Sequence, residues 1–136
     1  MTTANLLQQW FEQVWNHANE DAIPELMDKN AVLHGLDSAG TTTGIDSFLE
    51  FYNNFRQTFP TVSIEVTSLV HDNETATAYC TVTAKTNSLR EVSFSGICVG
   101  KYKDGKLIES WNHFDFLKMY QQLGHILVEP ISGMNT

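Results

Sequence analysis

Apolar residues in the first part of the chain recur at helical spacing. Leu6, Leu7, Trp10, Val14 and Trp15 fall on one stripe, which predicts an amphipathic helix with a broad buried face. A second helix is predicted after the glycine- and threonine-rich stretch 35–44, where apolar residues share the same spacing. They are Ile45, Phe48, Leu49, Tyr52, Phe55 and Phe59. Two helices with aromatic faces require an extensive apolar surface to cover them.

From residue 62 onward the pattern changes to alternation in segments rich in β-branched residues, which is typical of strands. Four long strands are predicted at 62–70, 75–85, 92–103 and 106–116, with a short earlier strand at 31–34. Turn signals such as Asp104-Gly105 separate them. Helices first and strands afterwards predict an α+β fold, in which a strongly curved, mostly antiparallel sheet wraps around the N-terminal helices. Such an arrangement leaves a pocket between helices and sheet.

The 136 residues predict a single domain, with a core at 4–124 and a C-terminal tail at 125–136. Eight Lys plus Arg stand against sixteen Asp plus Glu, so the net charge of -8 argues against nucleic acid or an anionic membrane as a partner.

Cys80 and Cys98 lack a CxxC pairing, which favours reduced, buried thiols. Without a leader pattern or a membrane-spanning apolar run, the expected location is the cytoplasm.

The last predicted strand carries the candidate chemistry. Strict alternation puts Trp111, His113 and Asp115 on one face. A carboxylate held between aromatic surfaces loses hydration that its charged form needs, which suits an acid/base group. The alternative is that Asp115 caps the helical turn after it. The opposite face, with Ser110, Asn112, Phe114 and Phe116, would suit a second subunit.

Several short sequence segments resemble those of a known protein family, and the resemblance extends to Gly124. They are Gly44-Ile45 with Phe48, the run 55–60 (Phe-Arg-Gln-Thr-Phe-Pro), the run 105–111 followed by Asp115, and Gln122-Leu123-Gly124. In these the chain resembles the SnoaL-like polyketide cyclase family of the nuclear transport factor 2-like superfamily. The departures are Thr61, where the family often has aspartate, and the segment 83–86, which replaces a Gly-Thr-His phrase.

The resemblance implies a cone-shaped α+β barrel with a deep apolar pocket, no metal or organic cofactor, and a homodimer formed through the outer face of the sheet. It also implies that Asp115 is the acid/base of an intramolecular aldol closure. His113 is then a candidate donor to the enolate oxygen, or a polar pocket liner. The predicted substrate-binding set, for a small apolar molecule, is His34, Trp111, Trp15, Phe48, Tyr52, Phe55 and Asp37.

Three alternatives stay open. The segment Asp37-Ser38-Ala39-Gly40 resembles the catalytic aspartate loop of ketosteroid isomerases, although aspartate in such a segment is also typical of an ordinary turn. His34, His113 and Asp115 have metal-binding side chains but weak ligand spacing, so no metal is predicted. The third alternative is a non-catalytic module that binds a small molecule or only dimerises. The sequence therefore predicts either a metal-free cyclase or isomerase acting on a polyketide-like or cyclic ketone, or a binding module.

Overall fold

The computed structural model describes residues 2–36 and 40–125. The helices are α1 Thr3–Gln9, continued by a π-helical segment Trp10–Asn16, a 3-10 turn Glu20–Ala22, α2 Ile23–Leu26, α3 Ile45–Thr58 and α4 Phe116–Gln122. The strands are β1 Met27–His34, β2 Thr41–Thr43, β3 Thr61–His71, β4 Thr75–Lys85, β5 Glu91–Lys103 and β6 Lys106–Phe114. The predicted α+β class is confirmed. None of the described helices is long and apolar enough to cross a bilayer.

The strands form one curved sheet in the order β2-β1-β6-β5-β4-β3. Only β1 and β6 run parallel; the other neighbours are antiparallel. Along β4, Ala76, Ala78, Cys80, Val82 and Ala84 are buried on the inner face, and the residues between them lie on the outer face. Small side chains at three of these inner positions leave room for the aromatic helices to pack close to the sheet.

The first helix departs from the predicted α-helix. It begins at Thr3 as an α-helix, with the Thr2 side chain accepting a hydrogen bond from the backbone N–H of Asn5. At Trp10 the winding widens to the π form. The carbonyl of Val14 there accepts from the Tyr52 hydroxyl at 2.7 Å, and that of Trp15 accepts from Arg56 at 2.8 Å. Since π-helical segments are rare and their backbone groups need partners, α3 stabilises this one directly.

A β-bulge in β6 decides which side chains face the helices. Lys101 pairs with Glu109 but Tyr102 pairs with Leu107, so Ile108 is an extra residue in the ladder. One inserted residue reverses the faces of everything beyond it, because side chains alternate with a period of two. Leu107 is buried before the bulge. After it the inward positions are Ser110, Asn112 and Phe114, so the prediction that Trp111, His113 and Asp115 face the pocket is wrong.

Candidate functional site

A cavity lies between the first helix, α3 and the inner face of the sheet. Its volume is about 60 Å³, room for about four water-sized spheres. Almost all of its lining is aliphatic or aromatic. The lining residues are Leu7, Trp10, Phe11, Trp15, Leu33, Leu36, Phe48, Phe51, Phe55, Val62, Ile64, Val82, Phe94, Cys98, Leu107, Ser110, Asn112, Phe114 and Phe116. Trp15, Phe48 and Phe55 of the predicted substrate-binding set are among them, and their contact with a substrate stays a prediction.

Aromatic rings from the two helices hold each other in place around this cavity. Phe48 lies 5.0 Å from Trp10, and Phe55 meets Trp15 edge-on at 5.4 Å between ring centroids. Their spacing along α3 puts Phe48 and Phe55 on one helix face. Tyr52 lies behind them, 2% exposed, with its hydroxyl on the Val14 carbonyl. Tyr52 therefore supports the cavity wall but is not part of its lining, contrary to the predicted contact.

Two polar residues of β6 stand in this apolar lining. Ser110 is 3% exposed and Asn112 is 8% exposed. The Asn112 side-chain Nδ2 donates to the backbone carbonyl of His34 and to Ser110 Oγ, both at 3.0 Å. These two bonds use both amide hydrogens and so fix the orientation of the amide. Sequence reasoning missed both residues because it assigned them to the opposite face of the strand.

Asp115 follows β6 at the start of α4. It is exposed, and its Oδ1 accepts a hydrogen bond from the backbone N–H of Lys118 at 3.0 Å. Its own N–H donates to the carbonyl of Ser95. This is the helix-cap alternative raised from the sequence, and the structure confirms it. The predicted acid/base role of Asp115 stays a prediction, without the desolvated, pocket-facing position on which it was based.

His34 and its neighbours lie on the outer face of the sheet. Its Nε2 is 2.7 Å from Glu109 Oε2, its Nδ1 is 3.0 Å from Thr41 Oγ1, and its ring stacks on Trp111 at 5.5 Å. His113 is exposed on the same face. The predicted contacts of His34, Trp111 and His113 with a ligand in the cavity are therefore wrong.

Asp37 lies outside the described residues. Leu36, the residue before it, lines the cavity. Among the described lining residues there is no carboxyl, imidazole or amine. No group of three or more histidine, cysteine, aspartate or glutamate residues within 2–36 and 40–125 is arranged to hold a metal ion.

The one titratable group in the described lining is the Cys98 thiol. Burial raises its pKa to about 12, and burial raises the pKa of Cys80 to about 12 as well. Both thiols are buried and free, as the sequence predicted. At neutral pH they are therefore uncharged and poor nucleophiles, since the thiolate is the reactive form. The described lining thus supplies apolar contact and one polar pair.

Comparison with known proteins identifies a family and solved structures that this chain resembles. The profile of the SnoaL-like polyketide cyclase family matches residues 5–123. No curated protein matches the chain. A candidate polyketide cyclase from Bacillus cereus is similar in structure, with 29% identity, a TM-score of 0.79, and coverage of 90% of this chain and 80% of that one.

Two further solved structures share the fold at lower identity. IdmH, a candidate polyketide cyclase from Streptomyces antibioticus, is 18% identical with a TM-score of 0.76, over 92% of this chain and 100% of that chain. AclR, a candidate hydroxylase from Streptomyces galilaeus, is 17% identical with a TM-score of 0.77, over 98% of this chain and 90% of that chain. At these identities the likeness shows the fold alone. The family match over residues 5–123 goes further: the chain belongs to the SnoaL-like polyketide cyclase family.

Proposed function

We propose that this protein binds a small, largely apolar molecule in the cavity between its helices and sheet. The observation that carries the proposal is the lining, which is aromatic and aliphatic except for Ser110, Asn112 and the uncharged Cys98 thiol. Concave apolar sites with a few placed polar groups are the usual form of small-molecule sites. The cavity volume is about 60 Å³, less than the roughly 150 Å³ of an apolar cavity that holds benzene, so a ligand of one ring requires small shifts of the lining side chains. A fused multi-ring polyketide would require much larger ones.

Proton transfer on a ketone requires a base within reach of the ligand. Asp115 is exposed and caps α4, so it is not the base in this proposal. A second candidate function is favoured by Leu36, which lines the cavity and immediately precedes Asp37 in the sequence. In that alternative Asp37 removes a proton beside the carbonyl of a bound ketone, as in a cofactor-free isomerase or cyclase.

Binding and exchange together test these proposals. Trp10 and Trp15 line the cavity, so their fluorescence should change when acetophenone or cyclohexane-1,3-dione binds. We expect Asp115→Asn to bind both ketones as the wild type does and to lose less than about 0.5 kcal/mol of stability, because asparagine is also a good N-cap. Deuterium uptake at the acidic carbons, followed by mass spectrometry in heavy water, reports proton transfer.

Each outcome decides one point. Uptake that Asp37→Asn abolishes and Asp115→Asn leaves intact supports the second candidate. Uptake abolished by Asp115→Asn alone would overturn the assignment of Asp115 as a cap only. Binding without any uptake supports a binding module, and absence of binding by every ketone contradicts both candidate functions.

We also propose that the outer face of the sheet pairs with a second copy of the chain. Tyr79 and Ile97 are 45% and 42% exposed there and are cross-strand neighbours. His113 pairs with Ile97 and Trp111 with Val99, so this face, and not the Phe114 face, is the apolar outer surface. We expect sedimentation to show a dimer at micromolar concentration, and Ile97→Lys to shift it to monomer, because a buried lysine would be unpaired. A monomeric wild type would contradict this proposal.

A further inference from the structure

The two polar residues in the cavity, Ser110 and Asn112, differ in which hydrogen-bonding group remains free for a ligand. Asn112 Nδ2 uses both hydrogens, on the His34 carbonyl and on Ser110 Oγ. Within 2–36 and 40–125, no donor bonds the Asn112 Oδ1 and no acceptor takes the Ser110 hydroxyl hydrogen. Reversing the amide would set Oδ1 against the carbonyl oxygen of His34, so the observed orientation is the favourable one. Among the described residues, the Asn112 Oδ1 and the Ser110 hydroxyl hydrogen are therefore an acceptor and a donor available side by side in the cavity.

An apolar cavity with unused hydrogen-bonding groups selects a ligand that satisfies them. A buried polar group without a partner costs more than a satisfied bond returns, so the pair disfavours a pure hydrocarbon. The Asn112 Oδ1 requires a donor from the ligand, and the Ser110 hydroxyl requires an acceptor. The Ser110 oxygen already accepts from Asn112, so its hydroxyl hydrogen remains for an acceptor on the ligand.

We infer, building on the proposed binding function, that the ligand is a single ring bearing a hydroxyl group next to a carbonyl, held by Asn112 and Ser110. The hydroxyl donates to Asn112 Oδ1 and the carbonyl accepts from Ser110 Oγ. The enol form of a 1,3-dicarbonyl has the same donor and acceptor. The ring lies against the apolar lining, to which Phe48, Phe94 and Phe114 contribute, and small shifts of these side chains admit it.

Four probes of one ring and similar size separate the two hydrogen bonds. They are ethylbenzene, with neither group; 1-phenylethanol, with the hydroxyl; acetophenone, with the carbonyl; and α-hydroxyacetophenone, with both. Binding is followed by the fluorescence of Trp10 and Trp15 in a Trp111→Phe background, since Trp111 lies on the outer face and would only add signal. We expect affinity to rise about fivefold with each group, at about the net worth of one hydrogen bond.

The variants then assign each increment to its residue. Ser110→Ala keeps the bond from Asn112 to His34 and should reduce the advantage of acetophenone over ethylbenzene severalfold. Asn112→Leu should remove the advantage of 1-phenylethanol, with circular dichroism confirming that it folds. Ethylbenzene should bind both variants at least as well as the wild type.

The same measurements distinguish failure of the proposed binding function from failure of the inferred ligand chemistry. If ethylbenzene and the other probes all fail to bind, the proposed function is wrong. If all four bind equally, or if Ser110→Ala leaves the advantage of acetophenone over ethylbenzene unchanged, the cavity still binds small molecules but the inferred ligand chemistry is wrong.

Discussion

Replacing Gly35 by alanine is expected to cost about 3 kcal/mol or more of unfolding free energy and to disrupt the cavity. Gly35 follows β1 with a φ of +80°, and a Cβ there would lie 2.1 Å from the backbone oxygen of Asn112. Backbone atoms cannot yield as a flexible side chain can. The clash would push apart β1 and β6 at the point where the Asn112 amide bonds the His34 carbonyl, so ligand binding should weaken with stability.

Gly40→Ala is the matched control for the backbone conformation. Gly40 also has a positive φ, +91°, but no atom of the described residues lies within 4 Å of the position of its Cβ. It should therefore cost only the strain of the positive φ, about 1–2 kcal/mol. Urea denaturation of both variants measures the difference. Equal losses would show that the close approach of Gly35 to Asn112 carries no cost of its own.

The fold followed from the sequence because its signals are local and periodic. The four long strands end within two residues of their predicted bounds, since alternation and the Asp104-Gly105 turn mark them clearly. Trp15, Phe48 and Phe55, three of the predicted substrate-binding residues, line the cavity. Each lies on a helix stripe that is apolar on one side only.

The face of β6 could not be predicted in this way. In the Asp104-Gly105 turn both residues have positive φ, which sets Lys103 opposite Lys106. Continued without interruption, that register points Glu109 inward. Glu109 itself was a signal in the sequence against that register. Burying its carboxylate in an apolar cavity is costly, and a bulge avoids this cost. The π-helical winding at Trp10 is similarly non-local, because its carbonyl partners, Tyr52 among them, come from α3.

Phe48→Ala should both destabilise the protein and widen its ligand range. Phe48 is 2% exposed, packs on Trp10 and Trp15, and lines the cavity. Removing a buried phenylalanine ring costs about 3–5 kcal/mol, and the space that it leaves adds to the cavity. We expect naphthalene, a two-ring probe, to bind this variant at least about tenfold more tightly than the wild type, as the added burial of apolar area would predict.

Phe59→Ala separates ligand range from stability. Phe59 is 1% exposed and packs on Phe55, but it is not among the residues lining the cavity. Its loss should cost a comparable free energy of unfolding, measured by urea denaturation, while naphthalene affinity stays at the wild-type value. If both variants gained naphthalene binding equally, the probe would be reporting general loosening of the core. A gain confined to Phe48→Ala would instead locate the ligand between α3 and the sheet, because only there does the deleted ring free space that the ligand can reach.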